Sequence, residues 1–237
     1  MKSLAALLLL LLLPLLCSAQ PAIELKPDTV IFGNIPQKAK AYHTIMAYSV
    51  GTDTLRIEKI ETFNDCMSVK YDKANLPPGD STAIWVVFSS FLHEGYNIRY
   101  PLVKTNITNA FKGEVRITVI PQVIKNPETL FPVHVSPFRL IASQFGDSGK
   151  TKFEFAIINE SDEYAPLRLI YYDSTYYSLN IPTYVPPNDT VIGYIKLNDL
   201  GYYGEFESSF TFEFINEESE PENYTVPIRR RIFRPRK

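Results

Sequence analysis

Apolar and polar residues alternate with period two along most of the chain. Val115, Ile117 and Val119 interleave with Glu114, Arg116 and Thr118; Phe153, Phe155 and Ile157 with Lys152, Glu154 and Ala156; Phe210, Phe212 and Phe214 with Ser209, Thr211 and Glu213. Successive side chains of a strand point to opposite faces, so each run predicts a strand with one buried face and one face toward water. Beyond the N-terminal segment no stretch carries a helical period. Turn-forming clusters separate the runs: VGTD at 50–53, PPGD at 77–80, NESDEYAP at 159–166 and PPND at 186–189. Short strands between turns at such spacing predict an all-β sandwich architecture.

The pattern occurs twice. Phe32-Gly33-Asn34 matches Phe145-Gly146-Asp147, Pro77-Pro78-Gly79-Asp80 matches Pro186-Pro187-Asn188-Asp189, Gly95 matches Gly204 and Asn106 matches Asn216. The offset holds at about 110 residues, the size of one sandwich domain. The expected organisation is a signal peptide at 1–19, a first sandwich at 21–123, a linker at 124–131 and a second sandwich at 132–237 ending in a basic tail. The linker is short and proline-containing, which restricts how the two units sit.

The first unit resembles a bacterial secreted family of immunoglobulin-like domains of unassigned function, akin to hydin-type domains. The resemblance rests on FGNIPQKAKAYHTIMAYSVGTDTLRIEKIETFNDC, LPPGDSTAIWVVFSS and the later KTN, and covers residues 21–106. It implies two tandem immunoglobulin-like β-sandwich domains, the second by internal repeat. Members of that family usually carry Cys-Gly-Cys-Thr after the Leu-rich strand. Here the turn reads Asn64-Asp65-Cys66-Met67, so the first cysteine and the threonine are absent.

The N-terminus determines the compartment. Lys2 precedes an apolar run from Leu4 to Leu16, about 13 residues and short for a membrane span, followed by Cys17-Ser18-Ala19. This is the pattern of a secretory signal cleaved before Gln20. Lipid attachment at Cys17 is the alternative, disfavoured because Leu16 stands where a lipobox requires a small residue. The mature chain is expected to be exported, periplasmic or at the surface, with no transmembrane segment. A formal net charge of −2 gives no basis for binding nucleic acid.

Candidate chemistry is sparse. Cys66 is the one cysteine left after cleavage; alone it can neither enclose a metal nor resolve a mixed disulfide. A structural remnant is the favoured reading, the point of an intermolecular bridge the second, and a catalytic or metal-binding role the third. His43, His93 and His134 have no ligand spacing, and no nucleophile elbow, zinc-protease motif or phosphate loop is present. The reading is therefore no enzyme and no cofactor. Tyr171, Tyr172, Tyr176 and Tyr177 flank one turn of the second unit, and Tyr202 and Tyr203 a second loop. Strand alternation accounts for such doublets; a glycan or partner contact through exposed rings is the sharper reading. In the tail, Arg229, Arg231, Arg234, Arg236 and Lys237 form a candidate electrostatic contact, or simply protect a terminal strand from aggregation. Asp-Ser/Thr triplets at Asp28, Asp53, Asp80, Asp173 and Asp189 resemble O-glycan acceptors and equally resemble turn chemistry. The function expected is a non-catalytic binding or scaffold protein with a protein partner in the cell envelope; the alternatives are a carbohydrate-binding module and a thiol-linked dimer through Cys66.

Overall fold

The computed structural model describes residues 19–108, 113–146, 149–215 and 221–233. The chain is all-β apart from one short helix and one 3-10 turn among these residues. Its buried apolar side chains fall into two clusters. One is built from Leu25 to Val123 around Phe32, Ile45, Leu55 and Phe88, the other from Val133 to Ile228 around Phe155, Tyr177, Phe210 and Phe212. These are the first and second units below.

Each unit packs two sheets, and the strand order of the first sheet is the same in both. In the first unit it runs Ile23–Lys26, Lys40–Ser49, Ser81–Ser89, Met67–Tyr71; in the second, Val133–Ser136, Lys152–Asn159, Asp189–Leu197, Tyr177–Asn180. The turn before the third strand is also shared. Gly79 and Asn188 both adopt positive φ, +83° and +49°, which glycine and asparagine tolerate best. The next residue then caps the strand: Asp80 Oδ1 accepts from Ser81 N at 2.8 Å, and Asp189 Oδ1 from Thr190 N at 2.7 Å.

After its first strand each unit passes a cis X–Pro bond, Lys26–Pro27 or Ser136–Pro137, and the chain then crosses to the opposite sheet. In the first unit Thr29–Pro36 runs parallel to Thr118–Ile124. In the second, Leu140–Ile141 runs parallel to Ile228 and Arg229, and Gln144–Phe145 parallel to Ile232–Phe233.

The two units share a sheet. The far edge of Thr29–Pro36 meets Glu222–Arg230, with Asn34 opposite Tyr224, so one sheet of eight strands passes from the second unit into the first. This changes the expected pattern of burial. Ser209, Thr211 and Glu213, which alternation places on a water-facing side, are 0%, 0% and 8% exposed. Their face of Phe206–Phe214 is covered by the other unit, and the strand Lys40–Ser49 packs there. The polar groups of this face find partners: Ser209 across the joint on Tyr42, Thr211 on Thr225 and Glu213 on Arg168 within the second unit.

Two further details differ from expectation. Tyr202 and Tyr203 lie not in a loop but in a helix, Asp199–Tyr203, whose Asn198 N-cap accepts from Gly201 N at 2.9 Å. The repeat match of Gly95 with Gly204 is one of sequence rather than conformation: Gly95 has φ +73° at a strand start, whereas Gly204 closes that helix.

Candidate functional site

The joint is built mainly from side chains of one unit bonded to backbone of the other. Thr225 Oγ1 donates to Phe32 O at 2.6 Å and Asn223 Nδ2 to Ile31 O at 3.0 Å. Tyr42 N donates to Ser209 Oγ at 2.9 Å, and the Ser209 hydroxyl donates back to Tyr42 O at 3.0 Å. Gly33 is what lets the strands approach. At φ +61°, an added Cβ would stand 2.1 Å from Asn223 O, so no other residue fits without separating the chains.

Charge gathers at one end of this joint, on Glu207. Its carboxylate accepts from Tyr42 Oη at 2.7 Å and meets Lys40 Nζ at 3.2 Å and an Arg231 Nη at 3.0 Å, with Arg229 Nε at 3.7 Å. Partial burial acts to raise the Glu207 pKa, but the Tyr42 hydroxyl and Lys40 hold it below the usual carboxylate value. Burial and the adjacent Glu207 push the Tyr42 phenol well above its ordinary value.

Among the described residues, Leu140–Ile141 beside Glu222–Arg230 and Gln144–Phe145 beside Ile232–Phe233 are paired on one side only, which leaves an open edge. The amides of Ala142, Gln144 and Gly146 donate inward to Arg229 O, Arg231 O and Phe233 O, each at 2.9 Å. By alternation Ile141, Ser143 and Phe145 turn their backbone groups outward. Ile141 and Phe145 are 57% and 76% exposed, and Phe145 stacks on the half-exposed Phe233 with ring centroids 4.9 Å apart. Arg230 holds this edge from beneath: it is fully buried and donates to Ala142 O, to Gln144 Oε1 and to Tyr202 O.

The residues expected from sequence fall in different places. Tyr171 is half-buried in the joint, its hydroxyl 3.0 Å from Thr44 Oγ1. Tyr177 is 1% exposed in the second core, its hydroxyl donating to Ser209 O at 3.3 Å. Tyr172 leans on Tyr177, and Tyr176 lies flat on Phe206 at 4.6 Å. Tyr202 covers Arg230. Of the six, Tyr203 stands clear at 74% exposure. Arg229 and Arg231 converge on Glu207; Arg234, Arg236 and Lys237 lie outside the described residues, as do residues 1–18, on which the expected signal peptide falls. Cys66 is 7% exposed, and its thiol donates to Asn64 Oδ1 at 2.9 Å.

Each of the five Asp-Ser/Thr triplets has its carboxylate engaged in local turn bonds, to Thr29, Thr54, Ser81, Thr175 and Thr190. Among the described residues no three His, Cys, Asp or Glu side chains gather as a metal would require, and no helix is long and apolar enough to cross a membrane. The joint and the open edge escape sequence reasoning. The one signal for the joint was Gly33, read as a repeat marker rather than a contact.

Residues 21–98 match the family model of the HYDIN/CFA65/VesB-like, Ig-like domain. No curated protein matches the chain. Solved structures with similarity include a protein of unknown function from Porphyromonas gingivalis W83, 10% identical over 87% of this chain and 99% of that one, TM-score 0.34. PapD-like domain 7 of human CEP192 is 9% identical over 45% and 87%, TM-score 0.38. The CsuC–CsuE chaperone and tip-adhesion subunit pre-assembly complex of Acinetobacter baumannii is 12% identical over 89% and 99%, TM-score 0.36. Likenesses at these scores carry no functional argument.

Proposed function

From the premise that residues 21–98 form a HYDIN/CFA65/VesB-like Ig-like domain, we propose that the protein is an exported, non-catalytic binding module of the cell envelope that takes an extended segment of a protein partner at the edge Leu140–Phe145. The observation that carries the reading is that edge itself: outward backbone groups at Ile141, Ser143 and Phe145, flanked by exposed apolar side chains. An added strand would gain main-chain hydrogen bonds there and bury Ile141 and Phe145, which is recognition by β-augmentation. The fold supports the idea internally, because the corresponding strand of the first unit, Thr29–Pro36, has its outer edge taken by Glu222–Arg230.

The test is cross-linked capture from native cells with the mature chain and its Ser143→Pro and Phe145→Ala variants. Ser143→Pro removes an outward donor and leaves the inward ladder intact. Loss of a stoichiometric partner in both variants, with thermal midpoints retained, supports the reading; undiminished capture rejects it. Tyr203 supports a second reading, a carbohydrate contact from a single exposed ring.

A further inference from the structure

Between the units, the start of the strand Lys40–Ser49, the segment 139–141 and the end of Glu222–Arg230 enclose a cleft of about 260 Å³. Leu140 and Ile228, 2% exposed each, form an apolar floor, and Phe91, 53% exposed, stands at the mouth. Lys38, Lys40, Arg139 and Arg229 line the same cleft, against Glu207 as the acidic residue of the lining.

That carboxylate is already shared. Lys40, Tyr42, Arg229 and Arg231 all address it, which fills the acceptor positions of two oxygens. Arg139 instead turns its Nη donors to neutral acceptors, Gln37 O at 2.8 Å and Lys38 O at 3.5 Å, and its Nε is buried with no hydrogen-bond partner. Among the described residues no carboxylate lies within ion-pair distance of Arg139 or Lys38. The cleft thus combines an apolar floor with surplus positive charge. A neutral apolar ligand would leave the cations uncompensated, and a small inorganic anion would leave the exposed Phe91 and Ile141 beside the floor in water.

We infer that this cleft binds an organic carboxylate bearing an apolar group, its head held by Lys38 and Arg139 and its tail laid across the floor of Leu140 and Ile228 against Phe91 and Ile141. A planar guanidinium matches a carboxylate head, and the cleft's apolar lining selects the tail. Two sources supply this chemistry: a free aliphatic acid, and the chain end of a polypeptide finishing in an apolar residue. Ile141 lies on both this cleft and the outer edge, and the inference requires no strand pairing there.

The experiment is a titration of the 15N-labelled mature protein with four probes: octanoate, 1-octanol, inorganic phosphate, and a leucine-terminated tripeptide as free acid or as amide. Saturable shifts confined to amides near Lys38, Lys40, Leu140 and Ile228 are expected with octanoate or with the tripeptide acid; which of the two binds tighter identifies the source. Octanol, phosphate and the tripeptide amide should bind at least about tenfold more weakly. Lys38→Gln, an exposed position, should weaken the acid about threefold to tenfold with an unchanged thermal midpoint, and Arg139→Gln at least as much. Octanol or phosphate binding as tightly as the acid overturns the inference. So does a Lys38→Gln variant that binds like the parent, or the absence of site-specific shifts with either acid.

Discussion

The imidazole of His43 lies flat against the phenol of Tyr171, ring centroids 4.0 Å apart and 23° from parallel, and this pair bridges the two units. His43 follows the alternation of the core positions Ala41 and Ile45 and is 9% exposed. Burial lowers its pKa from 6.5 to about 4. Because the folded value lies below the unfolded one, the unfolded chain binds the extra proton first. Stability is therefore complete above about pH 6.5 and falls as the pH drops toward 4, by about 3 kcal/mol at most. Urea midpoints at pH 7 and pH 4.5 should show this loss, and His43→Phe, which keeps a stacking ring without a titrating nitrogen, should lose measurably less. An equal loss in both proteins assigns the acid sensitivity to carboxylates such as Glu207 instead.

Gly33 and Gly146 occupy matching places in the repeat but not in energy. Both have positive φ, +61° and +79°; a Cβ at Gly33 would collide with Asn223 O, while one at Gly146 would meet nothing within 4 Å among the described residues. Gly146→Ala should cost about 1–2 kcal/mol, the left-handed penalty alone. Gly33→Ala adds separation of the shared sheet, with a larger loss and disturbed amides at Ile31, Asn223 and Thr225. Equal losses would mean that the strand pairing across the joint contributes no stability.

Arg230 should be the least replaceable residue of the basic segment. It is 0% exposed and its guanidinium serves acceptors on two different elements, the edge at Ala142 and Gln144 and the helix end at Tyr202. Arg230→Ala leaves those acceptors unpaired and should cost about 3–5 kcal/mol. Lysine should not rescue, since an ammonium cannot replace the planar fork. Arg229→Ala, at an exposed position, should change stability by less than about 1 kcal/mol. Chemical denaturation of the three variants separates these cases.

The Cys66 thiol is enclosed and already donates to Asn64 Oδ1. Thiol-specific reagent should react slowly with the native protein and fully in denaturant, and non-reducing gels of freshly purified protein should show monomer. A dimer band removed by Cys66→Ser would establish the intermolecular bridge instead.

Strand alternation was legible because each sandwich buries one apolar face: Ile117, Val119, Phe155, Ile157, Phe210 and Phe212 lie in the cores as the pattern requires. Arg230 shares a face with the buried Val226 and Ile228 by strand alternation, yet nothing in the sequence names the acceptors it serves. The joint was illegible for a physical reason. Ser209, Thr211 and Thr225 look the same whether their hydroxyls face water or another unit's backbone, and only the three-dimensional path decides. The helix Asp199–Tyr203 is a little over one turn long, too short to print a period.

The tyrosines of the second unit provide the last separation. Tyr177 is buried against Phe206 and bonded to Ser209 O, whereas Tyr203 projects from the helix end with 74% of its surface exposed. Tyr177→Ala should therefore lower stability by about 3–5 kcal/mol, as large aromatic truncations in cores do. Tyr203→Ala should cost less than about 0.5 kcal/mol. If the protein retains glycan on an array or affinity column, that retention should vanish with Tyr203→Ala and survive in Tyr177→Phe, which preserves the packed ring. Retention unaffected by Tyr203→Ala removes this helix end from the reading and leaves the cleft lined by Tyr172 and Tyr177 as the place to look.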